Sequence, residues 1–209
     1  MEELAEAIEY DSIVKLKALC KAGADLTVPI DAGLEYGLED PDNMPVIFYA
    51  IRKYASIELI EVLIEYGCDI REIDDDGLSA IDIAIKFKRE DIITFCVDKG
   101  IDVNETHRPS GITPIVLASC FSNTSMVALL LKYGAEINAQ DKNGMSAKDY
   151  AKKLGQKKMV IFLTEHGAKF NRYVEDAQKE AQDELRDKIQ RGDMKNRNKP
   201  TDDMGFDSI

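Results

Sequence analysis

A chain of 209 residues, 44% hydrophobic and 32% charged, is long enough for one domain with an ordinary core or one short repeat array with an appendage, and too short for two full domains. Its formal net charge of -12 disfavours nucleic acid and anionic membranes as partners, because neutralising phosphates supplies most of such affinity, and no stretch reaches the roughly 18 uncharged apolar residues of a membrane span. Scattered Cys20, Cys68, Cys96 and Cys120, with no C-x-x-C pair, and an acidic start at Met1-Glu2-Glu3-Leu4 in place of a basic leader point to a soluble protein of the reducing cytoplasm.

The first predicted helix, Glu3 to Glu9, leads directly into a second, Ile13 to Ala22, which carries Leu16, Leu19 and Cys20 on its apolar side and ends at Gly23. Glu2, Glu3, Glu6 and Glu9 suit a solvated end face and a helix N-terminus, so this pair reads as an N-terminal cap. The next closing glycine, Gly67, comes 44 residues later, whereas Gly100, Gly134 and Gly167 follow at steps of 33, 34 and 33. The surplus of eleven is assigned to an inserted loop, 27–41, which bears Asp and Glu without Lys or Arg, together with Leu34, Tyr36 and Leu38.

Each later glycine closes an amphipathic run: Leu59, Val62, Leu63 and Ile64, then Ile92, Ile93, Cys96 and Val97, then Val127, Leu130 and Leu131, then Val160 and Leu163. Between these runs Gly77, Gly111 and Gly144 are each followed two positions on by Ser79, Thr113 or Ser146. A hydroxyl there can accept a hydrogen bond from an orphan N–H of a new helix, and Pro114 occupies a first helical position, where no N–H is needed. Every unit is thus predicted as a turn, a short helix, a tight turn, a longer helix and a glycine in a left-handed cap. After Asn171 the period stops. Tyr173, Val174, Ala177, Ala181, Leu185 and Ile189 form one narrow stripe, which predicts a capping helix over 172–190, and the polar remainder, 191–209, is predicted to be disordered.

Two motifs that recur in phase resemble the ankyrin repeat. The T-P-L-H-x-A signature appears as Thr113-Pro114-Ile115-Val116-Leu117-Ala118, Ser79-Ala80-Ile81-Asp82-Ile83-Ala84, Met44-Pro45-Val46-Ile47-Phe48-Tyr49 and Ser146-Ala147-Lys148-Asp149-Tyr150-Ala151. The G-A-D-V-N signature appears as Gly23-Ala24-Asp25-Leu26, Gly67-Cys68-Asp69-Ile70, Gly100-Ile101-Asp102-Val103-Asn104, Gly134-Ala135-Glu136-Ile137-Asn138 and Gly167-Ala168-Lys169-Phe170-Asn171. The resemblance covers residues 1–171. It implies an all-α ankyrin-repeat solenoid of five helix-turn-helix repeats with finger loops, at about 1–26, 42–70, 74–103, 108–137 and 141–170. The signature histidine is absent from every copy.

The resemblance also implies that a partner protein binds the concave side, formed by finger tips and short-helix ends. The candidate contacts are Tyr36 in the inserted loop, Arg52, Lys86, Phe87, Phe121, Lys153 and Leu154 at helix ends, and Leu78, Ile112 and Met145 in the fingers. Phe87, Phe121 and Leu154 share one repeat position, and Leu78, Ile112 and Met145 another. Apolar columns where polar residues would cost nothing read as a contiguous groove, or as a face covered by the inserted loop or the C-terminal helix; the groove is favoured. The acidic fingers, Asp31 to Asp42 and Glu72 to Asp76, imply a partner with a basic and an apolar patch.

His107 and His166 stand in no metal-ligand spacing, and no phosphate-binding or nucleophile motif occurs. Asp74-Asp75-Asp76-Gly77 lacks the alternating ligands and twelfth-position glutamate of a calcium loop and reads as a glycine-closed turn, and Cys120 reads as a spectator. The expectation is a monomeric, non-catalytic protein-protein interaction module without cofactor or metal. The alternative is an immunity, inhibitor or escort protein for one enzyme. An effector acting from outside the repeats is disfavoured by the short, polar 172–209 segment.

Overall fold

The computed structural model describes residues 2–31, 43–171, 183 and 186. Tyr36 and most of the inserted loop, the predicted capping helix 172–190 except Asp183 and Arg186, and the tail 191–209 lie outside the described residues. The chain divides into a unit of residues 1–172 and a second of 173–209. In the first, helices alternate in pairs: α1 (Glu2–Glu9) with α2 (Ile13–Lys21), α3 (Val46–Arg52) with α4 (Ile57–Glu65), α5 (Ala80–Lys86) with α6 (Glu90–Asp98), α7 (Pro114–Cys120) with α8 (Thr124–Lys132), and α9 (Ala147–Lys153) with α10 (Lys157–Glu165). Two short strands, β1 (Ile30–Asp31) and β2 (Asn43–Met44), pair antiparallel across the root of the inserted loop, Ile30 opposite Met44.

These elements stop and start where local chemistry dictates. Ser79 Oγ accepts from the Asp82 amide at 3.3 Å while Asp82 Oδ2 accepts from the Ser79 amide at 3.0 Å, and Ser146 with Asp149 repeats this reciprocal box. Thr113 departs from expectation. It is the residue before α7, but its buried hydroxyl has no hydrogen-bond partner, and Val116 stands where repeats three and five place a carboxylate. Pro114 starts this helix by its fixed φ.

Asp82 and Asp149 also occupy the place of the missing signature histidine, and each accepts a hydrogen bond from a later stretch of chain. Asp82 Oδ1 accepts from Arg108 Nε of the next finger at 3.2 Å, and Asp149 accepts from the Asn171 amide at 3.1 Å, both carboxylates being buried.

Repeat two requires two corrections. Pro45, not Met44, precedes α3, so Pro45-Val46-Ile47-Phe48-Tyr49-Ala50 is its true signature, and Ala50 falls in register with Ala84, Ala118 and Ala151. The surplus of eleven is also divided: ten residues enlarge the finger, and one, Ala55, lies between the α3–α4 turn and the Ser56 cap of α4.

The tight turn inside each repeat holds one residue in the left-handed region: Asp11 at φ 49°, Tyr54 at 60°, Lys88 at 57°, Ser122 at 56° and Gly155 at 68°. Only the last lacks a Cβ to crowd the following carbonyl. Ser122 is exposed, so Ser122→Gly is expected to raise stability by about 0.5–1 kcal/mol, the steric relief exceeding the entropy cost of glycine. A thermal melt at unchanged or lower temperature would contradict this.

Short helices α3, α5, α7 and α9 pack successively, as do the long helices α2, α4, α6 and α8, and the core lies between the two rows. Side chains from the second signature lace the long-helix ends together: Asn104 Nδ2 donates to Gly134 O at 3.2 Å, its Oδ1 accepts from the Glu136 amide at 2.8 Å, and Asn138 Oδ1 accepts from the Lys169 amide at 2.8 Å. On the turn side the equivalent lacing is Arg89, only 6% exposed, whose guanidinium donates to Ile51 O at 3.2 Å and Ala55 O at 2.8 Å and pairs with Asp91 at 2.7 Å.

Candidate functional site

The fingers of repeats three, four and five are each latched by a polar residue near their start. Asp74 Oδ1 accepts from the amides of Asp76 at 3.0 Å and Leu78 at 2.7 Å; Asp141 Oδ1 does the same for Asn143 at 2.9 Å and Met145 at 2.8 Å. Thr106 closes the third finger by donating to Ile112 O at 2.8 Å. Gly77 has φ +76°, and a Cβ there would stand 2.4 Å from His107 O of the adjacent finger, so the turn read from Asp74-Asp75-Asp76-Gly77 also sets how closely fingers stack.

Latching turns the finger column inward. With repeat two in its corrected register Met44 joins Leu78, Ile112 and Met145 in the column. Met44, Leu78 and Ile112 are half-buried and Met145 is buried. Leu78 and Ile112 pack on the core, so the finger column contributes little of the open apolar surface expected of it.

The helix-end column is Lys53, Phe87, Phe121 and Leu154, and Arg52, Lys86, Cys120 and Lys153 form its neighbour. Phe121 is 48% and Leu154 53% exposed, whereas Phe87 is half-buried. The structure brings Arg52, Lys86 and Phe87 together, with Arg52 Cζ 5.9 Å and Lys86 Nζ 5.8 Å from the Phe87 ring centre. Phe121 lines a groove with Lys88, Ser122 and Asn123.

The two columns do not meet. One lies at the start and the other at the end of a seven-residue helix, about 10 Å apart at 1.5 Å per residue. Every residue of α3, α5 and α7 before the last is buried, so no open apolar stripe joins the columns.

Charge follows the same polarity. At the finger end, Glu72 and Asp74 to Asp76 line a cleft with Thr27, Pro29, Asn43 and Pro45. Burial, then repulsion from Asp69, pushes the Glu72 carboxyl up; burial, reinforced by Asp75 and Asp76, does the same to Asp74 against its amide donors. At the turn end stand Arg52, Lys53, Lys86, Lys88, Lys152, Lys153, Lys157 and Lys158, with Glu58, Glu90 and Asp91 at the starts of α4 and α6. The sequence reading found only Arg52, Lys86 and Lys153 of these, because turn cations gain significance only once the repeats are stacked.

Little on the surface is suited to covalent or metal chemistry. Among the described residues no group of three or more His, Cys, Asp or Glu could hold a metal ion. Burial pushes the Cys68 and Cys96 thiols up to about 12 and raises those of Cys20 and Cys120, which keeps all four protonated. His107 and His166 are exposed, His107 Nε2 lying 3.1 Å from Glu105 and His166 Nδ1 2.8 Å from Phe162 O. No helix among the described residues is long and apolar enough to cross a membrane.

Comparison with known proteins agrees with the repeat geometry. The family described as ankyrin repeats (3 copies) matches residues 4–107 and 100–173. The chain is similar to the E3 ubiquitin-protein ligase hecd-1 of Caenorhabditis elegans, 32% identical over 103 residues that make up 49% of this chain and 4% of that protein. It is similar to an ankyrin repeat-containing protein of Treponema pallidum (strain Nichols), 31% identical over 124 residues, 59% of this chain and 41% of the relative. It is also similar to the B-cell lymphoma 3 protein homolog of Mus musculus, 30% identical over 100 residues, 48% of this chain and 22% of the relative. The matched region spans less than half the length of each of these relatives.

Proposed function

Because the chain belongs to the ankyrin-repeat family, we propose that it is a non-catalytic, cytoplasmic module that binds a partner protein through the concave side, chiefly where the short helices end. The observation that carries this reading is the pair Phe121 and Leu154, roughly half exposed at equivalent places in adjacent repeats and ringed by Lys86, Lys88 and Lys153. Aromatic and aliphatic side chains beside cations are the composition of interface anchors. Arg52, Phe87, Leu78, Ile112 and Met145 support these contacts from half-buried or buried places, and Tyr36, which lies outside the described residues, is a further proposed contact. The acidic finger end adds affinity for a basic patch on the same partner. The protein acts as a monomer, with no cofactor.

Phe121→Asp combined with Leu154→Asp is expected to leave the circular dichroism spectrum unchanged, since both side chains project into solvent. It is expected to weaken capture of the native partner by at least about 2 kcal/mol, the size of a hot-spot loss. Undiminished capture by a folded double variant would remove the helix ends from the binding site.

A further inference from the structure

We propose that the turn edge of repeats three to five binds an extended, acidic segment of a partner protein that places apolar anchors at about every third residue. The proposal rests on the reading of the chain as a protein-interaction module and adds the chemistry of its partner. The chain carries a net charge of -12, yet this edge concentrates exposed Lys86, Lys88, Lys153, Lys157 and Lys158 around Phe121 and Leu154. Among the described residues none of these five lysines has a carboxylate within ion-pair distance, whereas Lys15, Lys53, Lys99 and Arg108 do. Cations gathered against the overall charge, and left unneutralised by it, fit a negatively charged ligand.

The start of α10 shows the same preference more locally. Lys157 and Lys158 occupy its first turn, where the helix field opposes positive charge, while α4 and α6 carry Glu58 and Glu90 with Asp91 at the equivalent place. Gln156 makes no side-chain cap: its Nε2 donates to Cys120 O of the preceding repeat at 2.7 Å, and its buried Oε1 has no hydrogen-bond partner. The Lys157 amide turns back onto Gly155 O at 3.0 Å, and no side chain caps the amides that follow it, beside two exposed lysines. The arrangement works against the isolated helix and favours a bound carboxylate.

Stack geometry sets the form of the ligand. Packed helices lie about 8–10 Å apart, and an extended chain advances about 3.3 Å per residue, so one repeat corresponds to about three residues. An apolar residue seated in the groove of Lys88, Glu90, Phe121, Ser122 and Asn123 leaves its third neighbour beside Leu154, with the carboxylates that follow it directed to Lys153, Lys157 and Lys158. Nucleic acid shares the negative charge, but the acidic remainder of the molecule repels a long polyanion, and an isolated edge suits a short acidic peptide better.

The test uses the full chain and fluorescence anisotropy with a labelled peptide of about a dozen residues built from Glu-Glu-Phe triplets. The peptide is expected to bind with an affinity that falls steeply on adding salt. The reversal Lys153→Glu, Lys157→Glu, Lys158→Glu is expected to weaken binding at least about tenfold, and Lys21→Glu with Lys132→Glu to leave it unchanged. Equal binding of a Lys-Lys-Phe peptide, equally effective competition by a single-stranded oligonucleotide, or indifference to the triple reversal overturns the proposal. Sedimentation showing self-association abolished by the same reversal also overturns it, assigning the edge to the acidic fingers of a second copy. If the native partner is captured and lost with Phe121→Asp and Leu154→Asp but retained by the lysine reversal, this proposal fails and the interaction reading stands. If the wild-type chain retains no protein partner, the reading itself fails.

Discussion

Arg89→Ala is expected to lower the unfolding free energy by about 3 kcal/mol, far more than an arginine in an exposed turn would. The guanidinium is buried and bonds Ile51 O and Ala55 O of the preceding repeat, with the Tyr54 ring 5.5 Å away. Removing it takes the donor from Ala55 O and leaves Ile51 O with the Tyr54 amide alone, and a buried carbonyl orphaned in this way costs about 1–3 kcal/mol, to which the loss of the guanidinium's other contacts adds. Ala55 is the extra residue in the α3–α4 connection of repeat two, so this arginine secures the place where that connection lengthens. Arg89→Lys should recover only part of the loss, because a single ammonium cannot reproduce the fork. Chemical denaturation decides the matter, and a loss below about 1 kcal/mol would show that water replaces the arginine.

The same pair gives a pH dependence. The Arg89 hydrogen bond holds the Asp91 carboxyl below the usual carboxylate range, despite its partial burial. A carboxyl whose folded pKa is depressed contributes stability above its unfolded value, near about 3.9, and loses it as pH falls through the folded value. The stability difference between the wild type and Asp91→Asn should therefore be full at neutral pH and shrink below about pH 4. A constant difference across that range would dissociate Asp91 from Arg89.

Leu130→Ala should cost about 2–5 kcal/mol, the sum of lost transfer free energy and the cavity left behind. Leu130 is fully buried on α8, and α8 packs on both α6 and α7, so the cavity opens inside the repeat-to-repeat interface. In a linear stack each unit is held by its neighbours, and weakening repeat four should uncouple the repeats on either side. The expected signature is a broadened or two-step unfolding transition. An unchanged melting curve would contradict the placement of α8 in the core.

Much of the architecture was legible from residues alone because its determinants are local. A left-handed glycine, a hydroxyl before a helix and a 3.6-residue apolar period act within a few residues of chain, and they placed the closing turns at Gly67, Gly100, Gly134 and Gly167 and the short-helix starts at Ser79 and Ser146. The register of repeat two slipped by one because Met44-Pro45-Val46-Ile47 is apolar in either alignment, and only the start of α3 after Pro45 separates the two. Thr113 looked like a cap because hydroxyls usually are, yet in the fold its hydroxyl makes no hydrogen bond and Pro114 alone starts the helix.

The candidate site was legible in part, for a related reason. Counting from each signature found Phe87, Phe121 and Leu154, but counting cannot measure the about 10 Å that a seven-residue helix puts between these and Leu78, Ile112 and Met145. Nor does it show that Met145 turns inward under the Asp141 latch. Arg89 was invisible for the plainest reason: its acceptors lie 34 and 38 residues away in sequence. The sequence by itself determined the repeat, its period and its helix boundaries, since short-range sterics and hydrogen bonding suffice for those. Tertiary structure alone decided which repeated positions stay open to solvent and which charges gather on one edge, because burial and electrostatic neighbourhood are properties of the stacked repeats and not of any one of them.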